Sequence, residues 1–127
     1  MSNHGIFVTT VNCMDGRVQI PVNEYLIKKY NADYVDTITE AGPNKILAEN
    51  INEILVNSIK DRLICSVDLH KSKVIAMVGH YDCGGNSAEK DEQIIQIKNS
   101  MKLIKNWFND VEIIGVWVDK NWKVNEL

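Results

Sequence analysis

Three side chains able to bind a soft metal stand in two segments far apart in the chain. Cys13 opens Cys13-Met14-Asp15-Gly16-Arg17, and His80 and Cys83 belong to Gly79-His80-Tyr81-Asp82-Cys83-Gly84-Gly85. Two thiolates and one imidazole suit zinc, which prefers a tetrahedral shell of nitrogen and sulfur. Three protein ligands leave the fourth position to water or substrate, the pattern of catalytic rather than closed structural sites. Taken singly, a free cysteine is more often a small buried apolar residue, and a histidine at a strand end more often structural. The metal reading rests on all three falling at carboxyl ends of predicted strands. Cys65 lies inside a helical pattern without such company and reads as a core or surface thiol.

Asp15 and Arg17 follow Cys13 at alternate positions. A carboxylate two residues from a metal ligand can coordinate the metal or accept a hydrogen bond from metal-bound water. The planar guanidinium of Arg17 could hold that carboxylate through a bidentate pair. The bland alternative is a solvated loop ion pair worth ~0–1 kcal/mol.

These residues need elements to position them. Ile6 to Val11 is a short β-branched run ending at Asn12-Cys13, and it predicts a buried strand. Pro21 fits a helix start, with Val22, Leu26 and Tyr30 on one face up to Asn31. Tyr34 to Ile38 predicts a second strand, closed by Ala41-Gly42-Pro43-Asn44. Leu47, Ile51, Ile54, Leu55, Ile59, Leu63 and Val67 recur every three or four residues and predict one long helix. A third strand over Lys73 to Val78 ends at Gly79-His80. A helix marked by Ile94, Ile97, Met101, Ile104 and Phe108 follows, then a strand over Val111 to Val118 and a short tail around Trp122.

This alternation predicts an α/β fold, a three-layer α/β/α arrangement with a central, mostly parallel four-stranded sheet. Ligands in such sheets bind outside the carboxyl ends of the strands where the strand order reverses. If strands one and three are neighbours there, Cys13 meets His80 and Cys83.

The chain has 127 residues, 45% hydrophobic and 24% charged, which suits one domain over residues 1–127. A net charge of −3 gives no broad electrostatic footprint for nucleic acid. No apolar run approaches the ~20 residues that span a bilayer. Met1-Ser2-Asn3-His4-Gly5 carries no secretory leader signal. With three cysteines and no leader, reduced thiols and a cytoplasmic location are expected.

Cys13-Met14-Asp15-Gly16-Arg17 resembles the Cys-x-Asp-x-Arg motif of β-class carbonic anhydrases, and His80-Tyr81-Asp82-Cys83-Gly84 resembles their His-x-x-Cys-Gly motif. More weakly, Ile114-Gly115-Val116-Trp117-Val118-Asp119 is similar to the family's last core strand, and Thr39-Glu40-Ala41-Gly42 stands in place of its Arg-Asn-Ala-Gly loop. The resemblance implies a zinc ion on Cys13, His80 and Cys83, and reversible hydration of carbon dioxide to bicarbonate by zinc-bound hydroxide. Asp15 would orient that hydroxide when held by Arg17, or swing in as a fourth ligand that shuts the site. It also implies a homodimer. Two thiolates acidify water less than three imidazoles would, so hydrogen bonds to the sulfurs and Asp15 must offset that.

Three departures bear on activity. The chain begins almost directly on its first strand, without the N-terminal helices that wrap a partner subunit in the family. Thr39-Glu40 replaces Arg-Asn, which would set a carboxylate near the metal if that loop lies beside it. The glutamine and aromatic residues of the family pocket have no evident counterparts; Tyr81, Trp107 and Phe108 are the substitutes to consider. Two other functions therefore stand beside carbon dioxide hydration. One is hydrolysis of a sulfur analogue, carbonyl sulfide or carbon disulfide; the other is a non-catalytic zinc module closed by Asp15.

Overall fold

The computed structural model describes residues 5–127. Met1–His4, on which most of the reading of the N-terminus rests, lie outside them.

Five strands form one sheet in the order β2-β1-β3-β4-β5: β1 Phe7–Cys13, β2 Tyr34–Glu40, β3 Val74–His80, β4 Glu112–Val118 and β5 Val124–Glu126. The first four run parallel, and β5 pairs antiparallel to β4. The sequence reading has four strands and leaves the residues around Trp122 as a tail. The fifth strand escapes it because three residues are too few to show a period of two.

β3 is buried along its whole length, and its side chains divide by parity. Val74, Ala76 and Val78 join Val22 and Leu26 of helix α1 (Gln19–Tyr30), whereas Ile75 and Met77 join the core under the helices on the other face. Those are α2 (Pro43–Glu49), α3 (Glu53–Leu69) and α4 (Lys90–Trp107). Ile59, Leu63, Ile97 and Ile104 are wholly buried there. Each contributes roughly 1.5–3 kcal/mol by leaving water.

The long helix expected from Leu47 to Val67 is two helices. Asn50 takes the left-handed conformation (φ 51°) and donates its N–H to the Ile46 carbonyl, ending α2. Asn52 then caps α3, its Oδ1 accepting from Leu55 N at 3.1 Å. Asparagine suits both positions because it tolerates positive φ and carries a capping oxygen. Ile51 and Ile54, counted on the apolar stripe, are exposed instead. Among the described residues no helix is long and apolar enough to cross a membrane.

Candidate metal centre

β1 and β3 are neighbours, so the last residue of each, Cys13 and His80, ends at the same edge of the sheet. This is where the strand order reverses. Cys83 follows His80 in a tight turn. The candidate donor atoms of Cys13, His80 and Cys83 lie within 4.8 Å of one another, and no other such group exists among the described residues. Cys13 Sγ and Cys83 Sγ are 3.8 Å apart and unbonded.

Nδ1 of His80 lies 2.7 Å from the Tyr81 carbonyl oxygen. A carbonyl only accepts, so Nδ1 carries the proton and Nε2 a lone pair. Nε2 is buried with no hydrogen-bond partner. Buried polar atoms rarely go unpaired, and a metal-ligating histidine typically donates its other N–H to a carbonyl. The donor set therefore fits a metal ion.

One of the two thiols, Cys13, is favoured as an anion. The backbone amides of Asp15 and Gly42 favour charge on Cys13, and those of Gly85 and Asn86 favour it on Cys83. The hydrogen bond from Cys83 is the largest influence on Cys13; with help from His80 it outweighs burial and holds the thiol down at about 4. The same pairing, reinforced by burial, pushes Cys83 well above its ordinary value. Burial opposes charge on His80, but the Cys13 sulfur and the Tyr81 carbonyl outweigh it and raise the imidazole.

Two glycines make the sulfur-binding amides possible. Gly42 has φ 68° and packs on the Gly85 carbonyl; a Cβ on Gly85 would lie 2.5 Å from the Ala41 carbonyl carbon. The loop after β2 and the Cys83 turn thus touch backbone to backbone.

Asp15 and Arg17 form the bidentate pair that their spacing suggests. Arg17 Nη2 donates to Asp15 Oδ2 at 2.6 Å and Nε to Oδ1 at 3.0 Å, and the Arg17 backbone N–H also donates to Oδ1 at 2.9 Å. The Arg17 hydrogen bonds, against a burial penalty, hold the Asp15 carboxyl at about 2. Asp15 is not among the clustered donors.

Glu40 does lie beside the site, in register with Cys13, but the feared loose negative charge is absent: Arg62 Nη2 binds its Oε2 at 2.5 Å. Of the three aromatic substitutes, Tyr81 lines a cavity of about 450 Å³ with Cys83, Asn86, Gln93 and Trp117. Trp107 and Phe108 do not reach it. They pack beside Val67 and Val111, at the amino ends of β3 and β4.

Several supporting residues are invisible to motif reading. Gln93, 1% exposed, bonds both backbone groups of His80 and also the side chain of Asn44. Asn86 joins the same belt through Gln96. On a helix these amides look like solvated surface. Asp82 and Trp122 contact Arg17, and the lone aromatic of the tail was the only hint of the latter.

A family model described as "Putative carbonic anhydrase" matches residues 3–127. No curated protein matches the chain. Among solved structures the chain is similar to one from "Crystal structures of two tetrameric beta-carbonic anhydrases from the filamentous ascomycete Sordaria macrospora". That likeness has a TM-score of 0.59 at 18% identity and covers 94% of this chain and 79% of that one. At such identity it shows the fold.

Proposed function

From the premise that this chain belongs to the "Putative carbonic anhydrase" family, we propose that it binds one zinc ion through Cys13 Sγ, His80 Nε2 and Cys83 Sγ. We propose further that it interconverts carbon dioxide and water with bicarbonate and a proton. The observation that carries this reading is the orphaned Nε2 beside two sulfurs 3.8 Å apart. Two thiolates on one tetrahedral zinc at ~2.3 Å sit roughly 3.8 Å from each other.

A bound zinc ion supplies the Lewis acidity that makes water a nucleophile near neutral pH. The chain's own groups do the rest. Four backbone N–H groups draw charge from the sulfurs and so limit how far two thiolates weaken that acidity. Asp15, ionised and held by Arg17, accepts a hydrogen bond from water entering the site and orients it. Trp117 and Tyr81 wall the cavity beside Cys83 and offer carbon dioxide an apolar surface. Arg17's hold on Asp15 supports an open site over a closed zinc module.

Reduced Cys13 and Cys83 are required, which agrees with a cytoplasmic location. We assign the chain a homodimeric state on the family resemblance; light scattering on the purified protein measures it. The activity is tested by metal analysis paired with stopped-flow carbon dioxide hydration at pH about 7 and about 8.5. One zinc per chain with turnover is expected. Stoichiometric zinc without turnover at either pH would overturn the reaction and leave the metal assignment intact.

A further inference from the structure

Arg17 is 46% exposed on a single 3-10 turn, Gly16–Val18, and exposed ion pairs of long side chains hold weakly. Here both edges and one face of its guanidinium are engaged. One edge grips Asp15; the other donates from Nη1 to Asp82 Oδ2 at 3.3 Å and from Nη2 to the Asp82 carbonyl at 3.1 Å. Its face lies 4.4 Å from the centre of the Trp122 ring, within cation–π range. The same ring stands 6.4 Å from the imidazole of His80.

The chain goes to some length to put Trp122 there. Trp122 has φ 60°, a left-handed conformation that bulky residues take only when their surroundings force them, and Asp82 takes the same region (φ 58°), which aspartate tolerates. The turn is built on Asp119, whose Oδ1 accepts from Asn121 N and Lys123 N while its carbonyl accepts from Trp122 N. β5 then returns along β4, and Glu126 ties it to Tyr25 of α1 at 2.6 Å. The hairpin lays Val124 and Trp122 against the core on the α1 side. What it delivers to the site is an indole.

Asp15 stands two residues after Cys13, and the Arg17 that grips it also reaches the carbonyl of Asp82, the neighbour of Cys83. A carboxylate is itself a ready ligand for zinc. We propose that Trp122, aided by Asp82, is a positioning residue that holds Arg17 on Asp15 and thereby keeps the Asp15 carboxylate out of the fourth coordination position. The inference rests on the metal reading above for its consequence, though not for the contact itself.

Two measurements test it. In the metal-free protein, the Arg17 Nε–H resonance should be displaced by the Trp122 ring and exchange slowly with water. Trp122→Leu should remove both properties, and Asp82→Asn should speed the exchange. An Arg17 signal unmoved in both variants overturns the proposal whether or not any metal binds. In the cobalt-substituted protein, azide should perturb the visible spectrum, and Trp122→Leu should need about tenfold more azide, as loss of a partly desolvated cation–π contact implies. Trp122→Tyr should keep the native response, and Asp15→Asn added to Trp122→Leu should restore it. Equal azide sensitivity in the native protein and Trp122→Leu, or failure of Asp15→Asn to restore it, overturns the proposal. Failure of every form to bind cobalt instead refutes the metal assignment and leaves the resonance measurement to decide the role of Trp122.

Discussion

Gln93 holds His80 by both of its backbone polar groups: Nε2 donates to the His80 carbonyl at 2.9 Å, and Oε1 accepts from the His80 N–H at 3.3 Å. The same amide donates to Ala88 O and accepts from Asn44 Nδ2, so none of its capacity is idle. A candidate metal ligand at a strand end is held by a helix one element further along the chain. Removing that clamp should therefore loosen the ligand as well as the core.

Gln93→Leu leaves several buried groups without partners, each costing about 1–3 kcal/mol. We expect about 2–4 kcal/mol lower stability in urea unfolding. Zinc affinity should fall about 10- to 100-fold by chelator competition, as for other outer-shell partners. A stability loss with unchanged zinc affinity would show that the belt supports the core alone.

Zinc content distinguishes the three cysteines. Cys83→Ser should take the protein from about one zinc per chain to none measurable, because a neutral hydroxyl replaces a thiolate. Cys65→Ser, at an exposed helical position, should leave zinc unchanged. Chelation of native zinc should lower the melting temperature, since metal bound only by the folded state stabilises it. Metal analysis and a melting curve check all three, and full zinc retention by Cys83→Ser would be fatal to the ligand set.

The candidate ligands are legible in the sequence because Cys13, His80 and Cys83, each ambiguous alone, all fall at carboxyl ends of predicted strands. Their convergence is legible because parallel α/β sheets gather carboxyl strand ends on one edge. What supports them is not. Gln93 is a polar residue on an amphipathic helix, and no periodicity separates a buried amide clamp from a solvated one. Asn50 and Asn52 break a helix whose apolar spacing runs on through Ile51 and Ile54, because capping hydrogen bonds prevail over a pattern that buries nothing there. Glu40 misleads in the opposite sense, since its neutralising partner Arg62 lies on a helix 22 residues later.

The helix break has a measurable cost. Asn52→Ala removes the side-chain acceptor for Leu55 N and should destabilise the protein by about 1 kcal/mol. Asn52→Asp keeps the acceptor and adds charge at the helix N-terminus, so it should match or exceed the native stability. Urea midpoints at constant m-value decide this. Equal stability of the alanine variant would mean that the cap adds nothing.

Acid stability should depend on the C-terminal tie. Lys29 first, and Tyr25 second, hydrogen-bond Glu126 and depress its folded carboxyl below the unfolded value. The unfolded chain then binds more protons between the two values, so stability rises with pH through that window. The contribution is present above the ordinary carboxyl range and is lost as pH falls through the depressed folded value. Both partners are about one-third exposed, so screening limits the pair to roughly 1 kcal/mol or less. Glu126→Gln should lower the melting temperature slightly at neutrality, converge on the native value in acid, and so flatten the fall between pH about 5 and about 3. An unaltered acid slope would mean the tie is not formed in solution.

Gly85 tests whether the loop contact behind the thiolates matters to the metal. A methyl there would stand 2.5 Å from the Ala41 carbonyl carbon and 2.6 Å from its oxygen, and both are backbone atoms that cannot rotate away. Gly85→Ala must therefore part the two loops, at about 1–3 kcal/mol by analogy with overpacked cores. Parting them moves the Gly42 amide away from Cys13, so that sulfur loses a group that favours its charge. Gly84→Ala is the control, because a Cβ at that position meets nothing within 4 Å. Gly85→Ala should weaken zinc binding at least about tenfold in chelator competition, whereas Gly84→Ala should bind as the native chain does. If both variants hold zinc with native affinity, the sulfurs do not depend on the contact between the loops, and the thiolates must draw their support from the metal alone.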